Sequence, residues 1–359
     1  MNNTEWLFTL KKDIPRFLET MKGTSVSGFF RYSLTGDLYG EEKYWGLGNT
    51  VFAVKNYYML GILDTLSEEE KKNMADFIKS FQIDDGSIYD PLIKKKAWLR
   101  EKAGVVKHRD FNNFFHTQTI RAETRQALSA LNILEVTPTI SYKNIPHTEE
   151  EIDEYLKILD WTKPWGAGSH FSHLLFFLKH SDLKNKEALI DFAVAWVHKI
   201  QNREDGSWYK GAPTHVQKVN AAMKILTGLK AAERMYFHYP DKLIDLCLEA
   251  DNNRQACDNF NIIYVLNYAN KMLRGSYRNR EIQEAARRRL DIYRQYYFPK
   301  RGGFSFSHHK ANRFYYEARI TRGFDEPDIH GTCLFLWGIS IIAQMLDVDK
   351  ELGFKEHTP

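Results

Sequence analysis

The chain has 359 residues, of which 43% are hydrophobic and 14% aromatic, and its formal net charge is only +4. That is ample for a large core, and charges so nearly balanced argue against a dedicated nucleic-acid binder, which carries a strong basic excess. No apolar run approaches the roughly 20 residues that span a bilayer, and the start "MNNTEWLFTLKKDIPRF" lacks the pattern of a secretory signal.

Taken in chain order, apolar residues recur at helical spacing almost throughout, and alternating strand patterns are scarce. A charged helix with one apolar stripe is expected over about 5–22, then a helix of small apolar residues over 46–63 ("GLGNTVFAVKNYYMLGIL"). The alternation repeats at 67–81 and 116–133, 148–158 and 168–180, and 184–200 and 214–234. It continues at 238–249 and 258–273, and ends at 280–297 and 329–346. Helices apolar on most faces need cover all round, and one-striped helices can supply it while facing water themselves. Six of each kind fit an all-α (α/α)6 toroid, an inner ring inside an outer one, as a single domain over 1–359. A linear solenoid suits the same period, but six pairs suffice to close a ring and neither end reads as a polar cap.

Two features interrupt the alternation. The basic segment "IKKKAWLREKAGVVKHRDFNN" (93–113) reads either as a solvated surface or as a lid. In the second case Lys94, Lys95, Lys96, Arg100 or Arg109 would draw in an anionic substrate. Three helices, in addition, end alike, in "FQIDDGSIYDP" (81–91), "IQNREDGSWYKG" (200–211) and "FPKRGGFSFSH" (298–308). In the second, Gly206 is placed to take the positive φ that ends a helix, Trp208 to fold back on helix ends, and Gln201 to bond exposed backbone. Cys247, Cys257 and Cys333 show no CxxC spacing, so reduced thiols in a cytoplasmic protein are expected, without a disulfide or zinc framework.

"QNREDGSW" resembles the glutamine–tryptophan repeat of squalene-hopene and related triterpene cyclases, with "FQIDDGSI" a weaker copy ending in Ile88. "GGFSFSHHKANRFYY…DEPDIHGTCLFLWGISIIAQ" is similar to the end of a protein prenyltransferase β subunit, where a Gly-Gly loop precedes an inner helix containing a Thr-Cys pair. The resemblance implies the terpenoid-cyclase and prenyltransferase-like α/α toroid. Their catalytic signatures are missing. The Asp-x-Asp-Asp acid of the cyclases is matched only by Asp84 and Asp85 in a turn. At the position of the zinc-binding histidine stands Gly331, with His330 one residue earlier, and "CDNFN" reverses the usual Asp-x-Cys.

Polar residues gather where the apolar helices begin: Asn49; His116 and Gln118; His170 and His173; His215, Lys218 and Asn220; Asp258, Asn259 and Asn261; Asp328 and His330. Helix N-termini favour anionic groups through their free N–H donors and dipole. Asn and Asp are also ordinary caps, so the recurrence of histidine at four of six starts carries the argument. His215, His330, Asp328 and Tyr316 are the candidates for chemistry. His116, His170, His173, Lys218, Asp258, Asn259, Arg319, Arg322 and Trp337 are those for binding, with Trp45, Phe176, Tyr264 and Tyr315 as further aromatic lining. His170 and His173 at i, i+3 could bring two imidazoles to one ion, which leaves a divalent metal open as a cofactor although no complete metal motif is present.

The expected activity is that of a terpenoid-cyclase or prenyltransferase-like enzyme on a prenyl diphosphate or another small molecule with an apolar body and anionic head. The alternatives are a polysaccharide lyase, epimerase or glycosidase on an acidic glycan, for which "FNNFFH" and Tyr315, Tyr316 and Arg319 are suited, and a toroid that only binds. No nucleic-acid partner and no transmembrane segment are expected.

Overall fold

The computed structural model describes residues 4–41, 44–108, 117–251 and 253–358. Its helices are α1 (Glu5–Met21), α2 (Leu47–Met59), α3 (Glu68–Lys79), α4 (Pro91–His108), α5 (Thr117–Ile133), α6 (Glu149–Ile158) and α7 (Pro164–Lys179). They continue as α8 (Lys186–His198), α9 (His215–Ala231), α10 (Pro240–Leu248), α11 (Ala256–Met272), α12 (Asn279–Arg294), α13 (Ile329–Met345) and α14 (Asp349–Leu352). The strands among the described residues are four of two residues each, paired as the antiparallel hairpins β1–β2 (Tyr297–Phe298, Gly303–Phe304) and β3–β4 (Phe314–Tyr315, Ala318–Arg319). All twelve expected helices form, with ends displaced by at most four residues. Helices α4 and α14 are additional, and α4 turns most of the basic segment into a helix. Among the described residues no helix is long and apolar enough to cross a membrane.

Burial follows the two kinds of helix that composition distinguishes. Helices α2, α7, α9 and α11 are buried along nearly their whole length. Helix α1 buries the single stripe Leu7, Leu10, Ile14, Phe17, Leu18 and Met21, and α3, α6 and α10 do likewise. Starts are fixed by side chains: Ser67 and Thr214 form reciprocal capping boxes with Glu70 and Gln217, satisfying donors the helices leave open.

Contacts divide the chain into two compact units. The first comprises 1–141, 290–340 and 348–357, and the second 142–289, 341–347 and 358–359. In the second unit α7, α9 and α11 lie side by side and point the same way. A Cβ at Gly168 would sit 3.3 Å from Ala221 O, and one at Gly228 2.8 Å from Ser172 Cα. Asn261 Nδ2 donates to Asn220 Oδ1 at 2.6 Å, and further along the same pair Lys230 bonds Tyr268.

The repeated loops are built alike. Gln201 Nε2 donates to Gly206 O and to His238 O, while its Oε1 accepts from His238 N. Gln82 makes the same three bonds, to Gly86 O, to Ile140 O and from Ile140 N. Each amide thus closes its own turn and ties it to a later stretch of chain. The third loop has no glutamine and is closed instead by the β1–β2 ladder. Gly206 (φ 73°) and Gly302 (φ 81°) both press on the backbone of another helix: a Cβ would lie 2.7 Å from Tyr239 O, at the start of α10, and 2.2 Å from Asp13 O, in α1. Gly302 therefore seats the loop after α12 against the first helix of the chain.

Replacing Gly302 by alanine combines a left-handed backbone with a backbone clash, and should lower stability by about 1–3 kcal/mol. Gly40→Ala, where a Cβ would meet nothing within 4 Å, should change it by less than about 0.5 kcal/mol. Urea unfolding followed by circular dichroism measures both.

Candidate active site

The first unit holds a set of buried polar groups, and carboxylates organise it. Irregular backbone that is buried must find hydrogen-bond partners outside the regular ladders. Glu326 accepts from Thr35 N and Gly36 N, and Asp37 accepts from Tyr32 N and Ser33 N, which folds the 32–37 turn onto the loop before α13. Asp328 is fully buried and receives Phe306 N (2.8 Å) and Asn312 N (3.1 Å) on Oδ2 and Gly331 N (2.7 Å) on Oδ1. Burial pushes its carboxyl up to about 7 against the pull of these bonds. Asp328 is thus the cap of α13, and it fixes the backbone from which His330 projects.

His330 lies in an aromatic setting. Its ring stacks on Phe52 of α2 (centroids 4.3 Å apart, planes 9°), with Phe306 at 4.9 Å and Tyr315 at 6.0 Å. Its Nδ1 is 3.0 Å from the hydroxyl of Tyr32, which accepts from Asn312 Nδ2 at 2.9 Å. Tyr315 rests against α2 where Gly48 leaves room, since a Cβ there would be 2.8 Å from the tyrosine oxygen.

Tyr316 is presented by a strained turn. The β3–β4 hairpin has a two-residue turn, Tyr316–Glu317, with φ of 42° and 64°. Two consecutive left-handed residues are the geometry that Asn-Gly pairs adopt readily and bulky residues do not. Such strain persists where surroundings over-determine it. Here Tyr316 packs on Tyr315 at 4.5 Å, and Glu317 is gripped by Arg100 of α4 at 2.7 Å, whose guanidinium also lies 4.0 Å over the Phe314 ring.

Within electrostatic reach of the two tyrosines stands Glu123 of α5, 2% exposed. Its Oε2 accepts from Asp90 N at 2.9 Å, while its Oε1 is buried without a hydrogen-bond partner among the described residues. Asp90 accepts from Gly46 N and Leu92 N, joining the starts of α2 and α4. Burial and the neighbouring Asp90 push Glu123 well above the usual carboxylate range, and burial takes Asp90 to about 6. Because Asp90 has several backbone donors to stabilise its charge, the proton of the pair resides on Glu123. Burial and the nearby Glu123 raise Tyr316, and burial, Tyr316 and Glu123 raise Tyr315, so both phenols stay protonated. Farther along α2, buried Lys55 is bonded to Gln126.

Of the residues singled out from sequence, the first unit brings together His330, Asp328 and Tyr316. Arg319 and Arg322 are exposed, and Trp337 sits two turns along α13 from His330, against His357 at 5.0 Å. In the second unit Lys218 pairs with Asp205 of the glycine loop at 2.8 Å, and His215 is half-buried at the start of α9. His170 lies 3.4 Å from the Tyr155 hydroxyl and 6.2 Å, ring to ring, from His173. Asn259 is engaged by Arg289, Asn253 and Gln255, and burial raises Asp258. His116, Arg109 and "FNNFFH" fall outside the described residues. Asp85 caps its own turn, accepting from Ser87 N. Among the described residues no group of three His, Cys, Asp or Glu is arranged to hold a metal ion.

Sequence reasoning passes over Glu123, Asp90 and Tyr32. Glu123 stands in "RAETRQAL", which reads as a charged helix face. Asp90-Pro91 is a helix-start signal, with an N-cap carboxylate before proline at the first position, and it could have revealed both Asp90 and α4. Compared with protein-family models and with curated proteins, the chain matches none.

Because Glu123 titrates higher when folded than when unfolded, it contributes stability that is fully present below about pH 4. That contribution is lost as pH rises toward and through its folded value. Glu123→Gln keeps an oxygen for Asp90 N–H and removes the titration. The urea midpoint of wild type minus that of the variant should therefore decrease steadily from pH 5 to pH 8; a difference independent of pH would show that Glu123 is ionised throughout.

Proposed function

We propose that this protein is an enzyme of the terpenoid-cyclase-like type, in which Glu123 is the general acid and the surrounding aromatic side chains receive the cationic species it generates. The observation that carries the reading is the buried, protonated carboxyl of Glu123, with one oxygen unpartnered among the described residues, within electrostatic reach of Tyr315 and Tyr316. A carboxyl neutral at physiological pH is equipped to deliver a proton, and burial in apolar surroundings is the usual means of keeping it so. Transfer from Glu123 to a substrate double bond, or to the oxygen of a leaving group, leaves positive charge on carbon. The π faces of Phe52, Tyr315 and Tyr316 stabilise such charge, and His330, oriented by Tyr32, is placed to take a proton back at the end. The substrate is an isoprenoid with an apolar body. Among the cationic candidates, Lys218 is paired with Asp205 and Arg319 and Arg322 face solvent, whereas Arg125 of α5 is buried within electrostatic reach of Tyr316.

The same reading includes closure of the six helix pairs into an (α/α)6 ring. It is supported by the alternation of buried and one-striped helices and by Gly302, which seats the last outer loop on α1 much as Gly206 seats an earlier loop on α10. A lyase acting on acidic glycans would require a tyrosine poised to lose its proton. The upward shift of Tyr315 and Tyr316 opposes that, which is why acid catalysis is preferred.

Purified protein incubated with linear isoprenoids, with and without a diphosphate head, should yield cyclised or rearranged products detectable by gas chromatography–mass spectrometry. Glu123→Gln should reduce turnover by about 10²–10⁴-fold. The proposal fails if no isoprenoid is converted, if the Gln variant keeps full activity, or if uronic-acid glycans instead yield new ultraviolet absorbance.

A further inference from the structure

Helix α4 has a surface that the chemistry above does not use. Its inner stripe is Ile93, Ala97 and Glu101, one residue per turn; Thr119 of α5 donates to Glu101 at 2.6 Å. On the outward side, large apolar side chains stand in solvent: Trp98 is 52% exposed, Leu99 75% and Val106 64%. Around them the helix carries Lys94, Lys95, Lys96, Arg100, Lys102 and Lys107 against the single acid Glu101. The whole chain has a net charge of only +4, so this one helix accounts for its basic character.

We propose that α4 is an interfacial helix that docks the protein onto an anionic lipid surface. A basic helix that exposes tryptophan and aliphatic side chains with lysines interleaved among them is suited to the boundary between headgroups and acyl chains. The apolar side chains enter that boundary while the long lysine stems keep their ammonium groups at the level of the headgroup charge. The apolar component decides against a nucleic acid. Leu99 and Val106 offer neither stacking nor hydrogen bonds to a base or phosphate, yet they are the most exposed large apolar side chains among those described in the helix. An acidic protein would satisfy the lysines but would need a complementary apolar groove, whereas a lipid surface accepts any apolar outline. The inference is independent of the substrate proposed above.

The test uses the full chain and co-sedimentation with vesicles of phosphatidylcholine alone or mixed equally with phosphatidylserine. Binding is expected to the mixed vesicles and not to the neutral ones, and it should weaken as salt is raised. Lys95→Glu with Lys107→Glu should weaken binding by at least about a hundredfold, from roughly fivefold per unit charge near the surface. Trp98→Ser with Leu99→Ser should abolish vesicle binding while leaving retention on immobilised heparin unchanged. These residues face solvent, so the variants should melt at the wild-type temperature; for any that does not, salt and lipid dependence of the wild type remain the test. Absence of wild-type binding to mixed vesicles overturns the proposal. So does undiminished binding by the Trp98/Leu99 variant, which would mean adsorption of charge alone.

Discussion

The constraint on which the first unit depends is that its long irregular stretches are buried and must satisfy their backbone N–H groups without a sheet. Carboxylates meet it. Asp328, Asp37, Glu326 and Asp90 each accept two or more backbone donors. Asp90 is central, because its oxygens hold the starts of α2 and α4 while its own N–H reaches Glu123 of α5. Three helices are thus registered through one residue. Negative charges placed so close in a low-dielectric interior cannot all persist. Glu123, the acid with fewest donors, is left protonated. The same packing requirement that builds the unit therefore leaves it with a buried, neutral carboxyl.

A second consequence is strain at the hairpin. With the loop before α13 tied down by Asp328 and Glu326, the β3–β4 hairpin turns on Tyr316 and Glu317 in left-handed conformations. The hold of Arg100 on Glu317 offsets part of that cost and links the turn to α4. Helix α4 thus has two dissimilar faces: one clamps the hairpin beside the candidate acid, and the other presents tryptophan and lysine to the outside. The second unit uses its polar residues differently. Lys218, Asn259 and Asn261 are engaged with neighbouring side chains, so the polar starts of α9 and α11 stabilise helix packing.

The sequence by itself determined the helices. A stripe of period 3.6 records burial directly, so all twelve could be read with their order and their two kinds, and the Gly206 turn with its glutamine was legible for the same local reason. His330, Asp328 and Tyr316 were legible as a group because they lie close together in the chain. Tertiary structure alone decided the rest. A glutamate in "RAETRQAL" looks solvated until the loop carrying Asp90 covers it, and Asp90, Glu123, Tyr32 and Tyr316 come from four distant segments. Helix α4 escaped notice because its buried stripe is one residue wide and one member is Glu101, so no apolar period exists to find. Periodicity reports how a segment meets its immediate surroundings. The protonation of a carboxyl depends on charges and donors that only the folded chain brings beside it.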